Sequence, residues 1–162
     1  DLTFGEAFQY SCVPCYKKVA RWIGTKRMIQ GINSLDYGSM DIRSDNIDNF
    51  WLTGKSRITA YEQIDFLRRF DNGELPIRKR TEEIMRRMMV IDKSPVYTLS
   101  GKSGLSENND IYNGWYVGFI ETQGNKFYFA TNIETSAESS FSEFANKRKS
   151  VTFQAFELLN VI

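Results

Sequence analysis

A lysine and a serine stand between two glycines in the segment Ser100-Gly101-Lys102-Ser103-Gly104. Glycines let a ligand approach the backbone closely, because they carry no side chain. A cation beside a hydroxyl on such a segment suits an anionic ligand. The alternative is that Lys102 is a solvated lysine in a polar loop, which is the common state of an isolated Lys-Ser-Gly triplet.

The segment Ser11-Cys12-Val13-Pro14-Cys15 is the second group with chemical potential. A Cys-x-x-Cys pair at a helix start can be a redox motif, since that position lowers a thiol's pKa. No βαβ pattern surrounds the pair, so two small buried thiols are the alternative interpretation. Ser11 is either the cap of the following helix or a hydroxyl of a functional site.

Histidine is absent from the 162 residues. Its absence excludes His-based triads, most zinc enzymes and imidazole acid–base catalysis, and no metal site is predicted. The 21 basic and 20 acidic residues give a net charge of +1, so no charge excess indicates nucleic-acid binding. No apolar run approaches the roughly 20 residues of a membrane span.

Apolar residues at helical spacing predict several helices before residue 94. The predicted ranges are 4–8, 13–23, a short turn at 28–32, a helix from Thr59 to a stop at Asn72-Gly73, and 78–90. Thr3 with Glu6 and Thr59 with Glu62 form capping-box patterns. Glu82 and Glu83 interrupt the basic run of the last helix, which predicts a solvated face.

Three runs rich in β-branched and aromatic residues predict an antiparallel meander at 96–99, 115–121 and 126–133. Residues 100–114 are expected to form a loop, and a helix at 141–159 closes the chain. The predicted fold is α/β of the α+β type, with a helical subdomain at 1–93 and a three-stranded meander plus C-terminal helix at 94–162. So small a sheet predicts that part of the fold is missing.

Several motifs, in this order, resemble those of the class D serine β-lactamases, within the penicillin-recognising transpeptidase and lactamase fold. The resemblance covers nearly the whole chain. The matching segments are Ser11-Cys12-Val13 (Ser-x-Val), Asp36-Tyr37-Gly38-Ser39 (Tyr-Gly-Asn), Phe50-Trp51-Leu52-x-Gly54 (the tryptophan segment), Lys102-Ser103-Gly104 (Lys-Thr/Ser-Gly), 115–121 (the following strand) and Arg148-Lys149-Ser150.

The resemblance implies a serine nucleophile that is activated by a carboxylated lysine, and an acyl-enzyme that water then hydrolyses. Ser11 would shuttle a proton to the lactam nitrogen. Val13 would help to keep the carboxylated lysine in an apolar pocket, and Trp51 would donate its indole N–H to the carbamate. Ser11, Lys102 and Trp51 are therefore the expected catalytic residues.

The same resemblance assigns the substrate-binding residues besides Val13. Lys102 would supply positive potential beside Ser11, and Ser103 with Arg148 would bind the carboxylate of the drug. Gly104 belongs to the same strand motif. The backbone N–H of Leu105 would form half of the oxyanion hole.

Two departures from the family pattern are present. Ser39 stands where the family usually has Asn, and no Ser or Thr is followed three residues later by Lys. The nucleophile and the lysine that becomes carboxylated are therefore expected in a missing N-terminal segment or in another chain, and no other cofactor is expected. Because the chain starts at Asp1 without Met or a signal-like segment, we expect a processed or truncated sequence.

The predicted function is the β-lactam-binding and hydrolysing part of a periplasmic or secreted class D β-lactamase, which confers antibiotic resistance. This chain alone is predicted to be inactive. Its partners would be a β-lactam and the missing segment, with a homodimer left open. One alternative is a β-lactam-sensing receptor domain that keeps the acyl adduct, and another is a non-catalytic truncated remnant.

Overall fold

The computed structural model describes residues 1–162 and contains six helices and one four-stranded sheet. The elements are α1 (Phe4–Gln9), α2 (Val13–Ile23), α3 (Thr25–Leu35), α4 (Ala60–Asp71), α5 (Lys79–Met89), β1 (Val90–Lys93), β2 (Tyr97–Asn108), β3 (Ile111–Thr122), β4 (Asn125–Ser136) and α6 (Phe141–Leu158). The predicted mixture of helices and an antiparallel sheet is confirmed. No helix has the length and apolar character that a membrane crossing requires.

Capping side chains begin two of the helices, as predicted. Thr3 and Glu6 form a capping box before α1, and Thr59 and Glu62 form one before α4. Each pair satisfies backbone N–H groups that have no partner inside the helix. Helix α3 is longer than the short turn predicted there, and none of its residues is fully buried.

The sheet has one more strand than the predicted meander, in the order β1-β2-β3-β4 with antiparallel neighbours. Strand β1 follows α5 without a turn residue, so Val90 and Ile91 continue the apolar pattern of that helix. The three-stranded prediction was therefore wrong. Strand β1 lies within the predicted helical subdomain, residues 1–93, although it pairs with β2.

The predicted loop at 100–114 was also wrong, because β2 and β3 form a long hairpin through this segment. Asn109 and Asp110 connect them with φ angles of 49° and 58°. Two successive left-handed residues give the backbone twist that a two-residue hairpin connection requires, and Asn and Asp tolerate this conformation better than most residues. The polar composition of the segment therefore reflects an edge strand and its turn.

Each face of the sheet packs on a separate apolar core. The helices α4 and α5 cover one face, where the buried residues are Leu67, Phe70, Leu75, Met89 and Phe119. Helix α6 covers the other, where they are Leu99, Tyr116, Ile120, Phe129 and Phe156. Because residues paired across strands share a face, Lys102, which pairs with Val117, lies on the α4/α5 side. Ser103, which pairs with Tyr116, lies on the α6 side.

A network of partly buried cations around a buried carboxylate joins α4, α5 and β4. The Asp71 carboxylate, whose side chain is 7% exposed, accepts hydrogen bonds from Arg86 at 2.5 Å, Tyr128 at 2.6 Å and Lys126 at 2.7 Å. Burial by itself would raise the pKa of Asp71, but the hydrogen bonds from Lys126, Tyr128 and Arg86 hold it below its usual range.

Arg86 extends this network to Glu82. Its Nε donates to the Glu82 carboxylate at 3.0 Å, and Glu82 is only 5% exposed. The predicted solvated face is therefore wrong at Glu82. A carboxylate can be buried here because Arg86 lies one helical turn away and supplies the compensating charge.

Candidate active site

Strand β2 has an open edge where the predicted site begins. Strand β1 pairs with β2 only at Thr98, Leu99 and Ser100, so the β1 side of β2 has no strand partner from Gly101 onward. An unpaired edge presents backbone N–H and C=O groups to whatever binds there. The segment Lys102-Ser103-Gly104-Leu105 lies on this edge.

Ser11 and Lys102 meet, although they are far apart in sequence. Lys102 Nζ donates hydrogen bonds to Ser11 Oγ and, at 2.9 Å, to the carbonyl oxygen of Ser103. The ammonium also lies 5.7 Å from the centre of the Phe8 ring, on α1. The junction between α1 and α2 thus brings a hydroxyl and an aromatic ring to the edge of β2.

The environment of Lys102 makes its charge easy to remove. Burial, and then the positive charges of Arg148 and Lys149, lower its pKa from 10.5 to about 8. A lysine with such a pKa is largely protonated at neutral pH and still exchanges a proton readily. Together with Ser11 Oγ it can hold or transfer a proton at this edge.

The lowered pKa predicts how stability depends on pH. The pKa of Lys102 is about 8 in the folded protein and 10.5 in the unfolded chain. Between pH 8 and pH 10.5, Lys102 therefore binds more protons in the unfolded chain than in the folded protein. Lys102 should therefore make the urea midpoint rise as pH increases through this window. Lys102→Met should lose this contribution, so that the wild-type midpoint minus the variant midpoint increases with pH. A constant difference would contradict the lowered pKa.

A cleft of about 810 Å³ lies beside the open edge. Lys102, Ser103, Gly104 and Leu105 line it from β2, and Trp51 lines it from the loop before α4. The Trp51 ring packs edge-to-face on Phe50, with the ring centres 5.1 Å apart. The cleft thus brings together Trp51 and the four predicted residues of β2.

Residues that the sequence analysis did not select also line this cleft. Trp115 and Asn113 lie on β3, and Glu134 lies opposite Asn113 on β4 and accepts its amide N–H at 2.7 Å. The alternation of Asn113, Trp115 and Val117 was the available signal, because alternate residues share one face of a strand. The predicted loop at 100–114 contains Asn113, so the sequence analysis does not place Asn113 on the same strand face as Trp115.

Arg148 reaches the same strand from α6. Its guanidinium donates to the carbonyl oxygen of Gly104 at 2.6 Å, and burial lowers its pKa. A side chain at Gly114 would place its Cβ 3.1 Å from the Phe144 ring and 3.5 Å from Arg148 Cδ, so the Phe144 ring would have to shift to accommodate it. The buried Nε of Arg148 has no hydrogen-bond partner.

Lys102 and Ser103 also border a second cavity, of about 290 Å³. Phe8, Tyr116 and Lys149 are among its other lining residues. The structure therefore places the two strand residues between two cavities. Three of the predicted site residues do not line the larger cleft: Ser11, Val13 and Arg148.

Cys12 and Cys15 form a disulfide, so the interpretation as two buried free thiols was wrong. The first turn of α2 brings their Cα atoms to 5.2 Å, which is within the range that a disulfide spans. Cys12 is the N-cap of α2, and its Sγ accepts the backbone N–H of Cys15 at 3.3 Å. Val13 begins the helix next to this bridge and is half-buried.

Comparisons with known proteins identify the family. The model of the penicillin-binding protein transpeptidase domain matches residues 1–154. The β-lactamase OXA-48 of Klebsiella pneumoniae is 39% identical over 128 residues, which are 79% of this chain and 48% of that protein. The crystal structure of a class D β-lactamase from Sebaldella termitidis has a TM-score of 0.93 and 33% identity, over 100% of this chain and 65% of that chain.

A regulatory protein is also related. BlaR1 of Bacillus licheniformis is 31% identical over 149 residues, which are 90% of this chain and 24% of that protein. The chain spans about half the length of the curated β-lactamase OXA-48 and of the probable β-lactamase YbxI of Bacillus subtilis. The resemblance found in the sequence motifs is confirmed. The chain belongs to the penicillin-binding protein transpeptidase domain family, as a domain of the class D β-lactamase type.

Proposed function

We propose that this chain supplies the substrate-binding and proton-transferring part of a class D serine β-lactamase. The contact between Ser11 Oγ and Lys102 Nζ, at the open edge of β2, is the observation that carries this proposal. The related β-lactamases support it. The attacking serine and the lysine that becomes carboxylated would come from a segment of the whole protein outside these residues.

Ser11 and Lys102 would act on the lactam nitrogen as it leaves. Ser11 Oγ would donate a proton to the nitrogen and recover one from Lys102 Nζ, which already donates to it. The lowered pKa of Lys102 favours this transfer, because a proton donor works best when its pKa is near the working pH. Trp51 and Val13 would hold and shield the carboxylated lysine.

The other residues would bind the substrate. Ser103 and Arg148 would hold the carboxylate of the drug, a task that suits the planar fork of arginine. The backbone N–H of Leu105, on a strand edge without a partner, would donate to the developing oxyanion. Gly104 would let the substrate lie against the backbone, since a side chain there would occupy that space.

Nitrocefin hydrolysis tests the proposal. The full-length protein should hydrolyse nitrocefin, and the 162-residue chain alone should not, because it has no Ser-x-x-Lys. Adding the preceding segment in trans should restore activity if the two parts associate. Equal hydrolysis by the isolated chain would contradict the proposal that the attacking serine lies outside these residues.

A sensor function is the second candidate, and the similarity to the regulatory protein BlaR1 favours it. A sensor keeps its acyl adduct, whereas a lactamase hydrolyses it. Intact mass measured over time after addition of benzylpenicillin separates the two, because a long-lived adduct indicates sensing and a transient adduct indicates turnover. Absence of any adduct on the full-length protein would indicate a non-catalytic remnant.

We also propose a location in the periplasm or outside the cell. The Cys12–Cys15 disulfide supports it, since disulfides persist in oxidising compartments. The small-molecule partner would be a β-lactam. Sedimentation of the full-length protein would determine whether it forms a homodimer.

A further inference from the structure

The Cys12–Cys15 disulfide lies next to the Ser11–Lys102 contact, and the function proposed above makes no use of it. Cys12 directly follows Ser11 and caps α2, while Cys15 lies in the first turn of that helix. The chain contains two cysteines, and both are in this bridge. Both are only partly buried, so a small reagent has access to them.

The local sequence and geometry suit thiol–disulfide exchange. Pro14 lies between the cysteines at the start of an 11-residue helix. After reduction, a thiolate at Cys12 would lie at the helix N-terminus, with the backbone N–H of Cys15 directed at its sulfur. Both features stabilise a thiolate, and a stabilised thiolate is a good leaving group in exchange.

Ser11 is held in a conformation that needs support from its surroundings. Its φ angle is 54°, in the left-handed region, which costs a serine about 1 kcal/mol. Two backbone hydrogen bonds hold the junction between α1 and α2. The N–H of Ser11 donates to the carbonyl oxygen of Phe8 at 3.2 Å, and the N–H of Cys12 donates to the carbonyl oxygen of Ala7 at 2.9 Å. The disulfide adds a covalent restraint at the next residue. Loss of the disulfide would allow Ser11 to leave the left-handed conformation and to lose its hydrogen bond with Lys102.

We propose that Cys12 and Cys15 form a redox site that exchanges with dithiols, and that the disulfide positions Ser11 against Lys102. In the exchange, a thiolate of the dithiol attacks Cys15 Sγ, which forms a mixed disulfide and releases Cys12 as a thiolate. The second thiol of the reductant then displaces Cys15. The dithiol becomes a cyclic disulfide, and its two electrons and two protons end on the two cysteines. Ser11 is thus coupled to the redox state through the backbone.

Reductive methylation of the full-length protein tests both parts without any β-lactam, so its result is independent of the proposed enzymatic function. The protein is reduced with dithiothreitol, which is then removed with air excluded. It is then treated with formaldehyde and cyanoborohydride. Peptide masses then report the methylation rate of each lysine. Loss of the Ser11 acceptor removes a bond that favours the charged amine. Lys102 should react about threefold faster, because a larger fraction of its amine is then uncharged.

Two internal references and one variant make the test specific. The exposed Lys147 normalises the rates, and Lys126, which pairs with Asp71, should keep its rate. Cys12→Ser with Cys15→Ser should show the fast Lys102 rate with and without dithiothreitol. A disulfide that resists excess dithiothreitol, an unchanged Lys102 rate after reduction, or an equal rise at Lys126 would each overturn the proposal.

Discussion

Replacing Lys102 with alanine should lower nitrocefin hydrolysis by the full-length protein by about 100-fold or more, the effect typical of a lost proton-transfer or electrostatic group. Lys102 Nζ donates to Ser11 Oγ and lies beside the cleft, so the variant removes both the proton relay and the positive potential. Steady-state kcat and kcat/KM would show the loss. A fall in kcat with a smaller change in KM would indicate an effect on the chemical step.

Lys147→Ala is the matched control, because it removes the same charge from an exposed position on α6. Its kcat/KM should stay within about twofold of wild type, since a solvent-exposed charge that does not line the cleft is largely screened. Circular dichroism should show that both variants fold. Wild-type turnover by a folded Lys102→Ala protein would exclude Lys102 from the reaction.

The second large effect concerns stability. Asp71→Asn should lower the free energy of unfolding by about 3 kcal/mol, because it removes the buried carboxylate that the partly buried cations of Arg86 and Lys126 share. Urea unfolding at neutral pH would measure the change. The midpoint should fall by roughly 1–3 M for a domain of this size.

Asp65→Asn provides the control on the same helix. Asp65 is 52% exposed and pairs with Arg68 and Arg69 at the surface, so its loss should cost less than about 1 kcal/mol. Both variants lose one negative charge from α4. Equal destabilisation by the two would show that net charge, rather than the buried network, determines the effect.

The helices could be predicted from sequence where local signals begin them. Thr3 and Thr59 with their glutamates gave the starts of α1 and α4, because a capping box acts within four residues. Strand β1 and the hairpin of β2 and β3 could not be predicted in this way. The apolar pattern of β1 continues that of α5, and the second half of β2 is polar. Such segments form strands because of the neighbouring strand with which they pair, which a local pattern does not show.

The site shows the same division between local and long-range information. The motif around Lys102 and the residue Ser11 could be selected by resemblance, but no local pattern brings them together. The carboxylate of Asp71 was not selected at all, although it binds two cations and a tyrosine. Its partners lie on α5 and β4, and only the packing of these elements on α4 makes Asp71 an ionic centre.

Strands β2, β3 and β4 are 12 residues each, and two short turns connect them in sequence order. Bringing such neighbours together costs little chain entropy, whereas the Ser11–Lys102 contact closes a separation of 91 residues. We therefore expect the two hairpins to form first. The junction of α1 and α2 would then pack against a sheet that already exists. We expect the Ser11–Lys102 contact to be among the last to assemble.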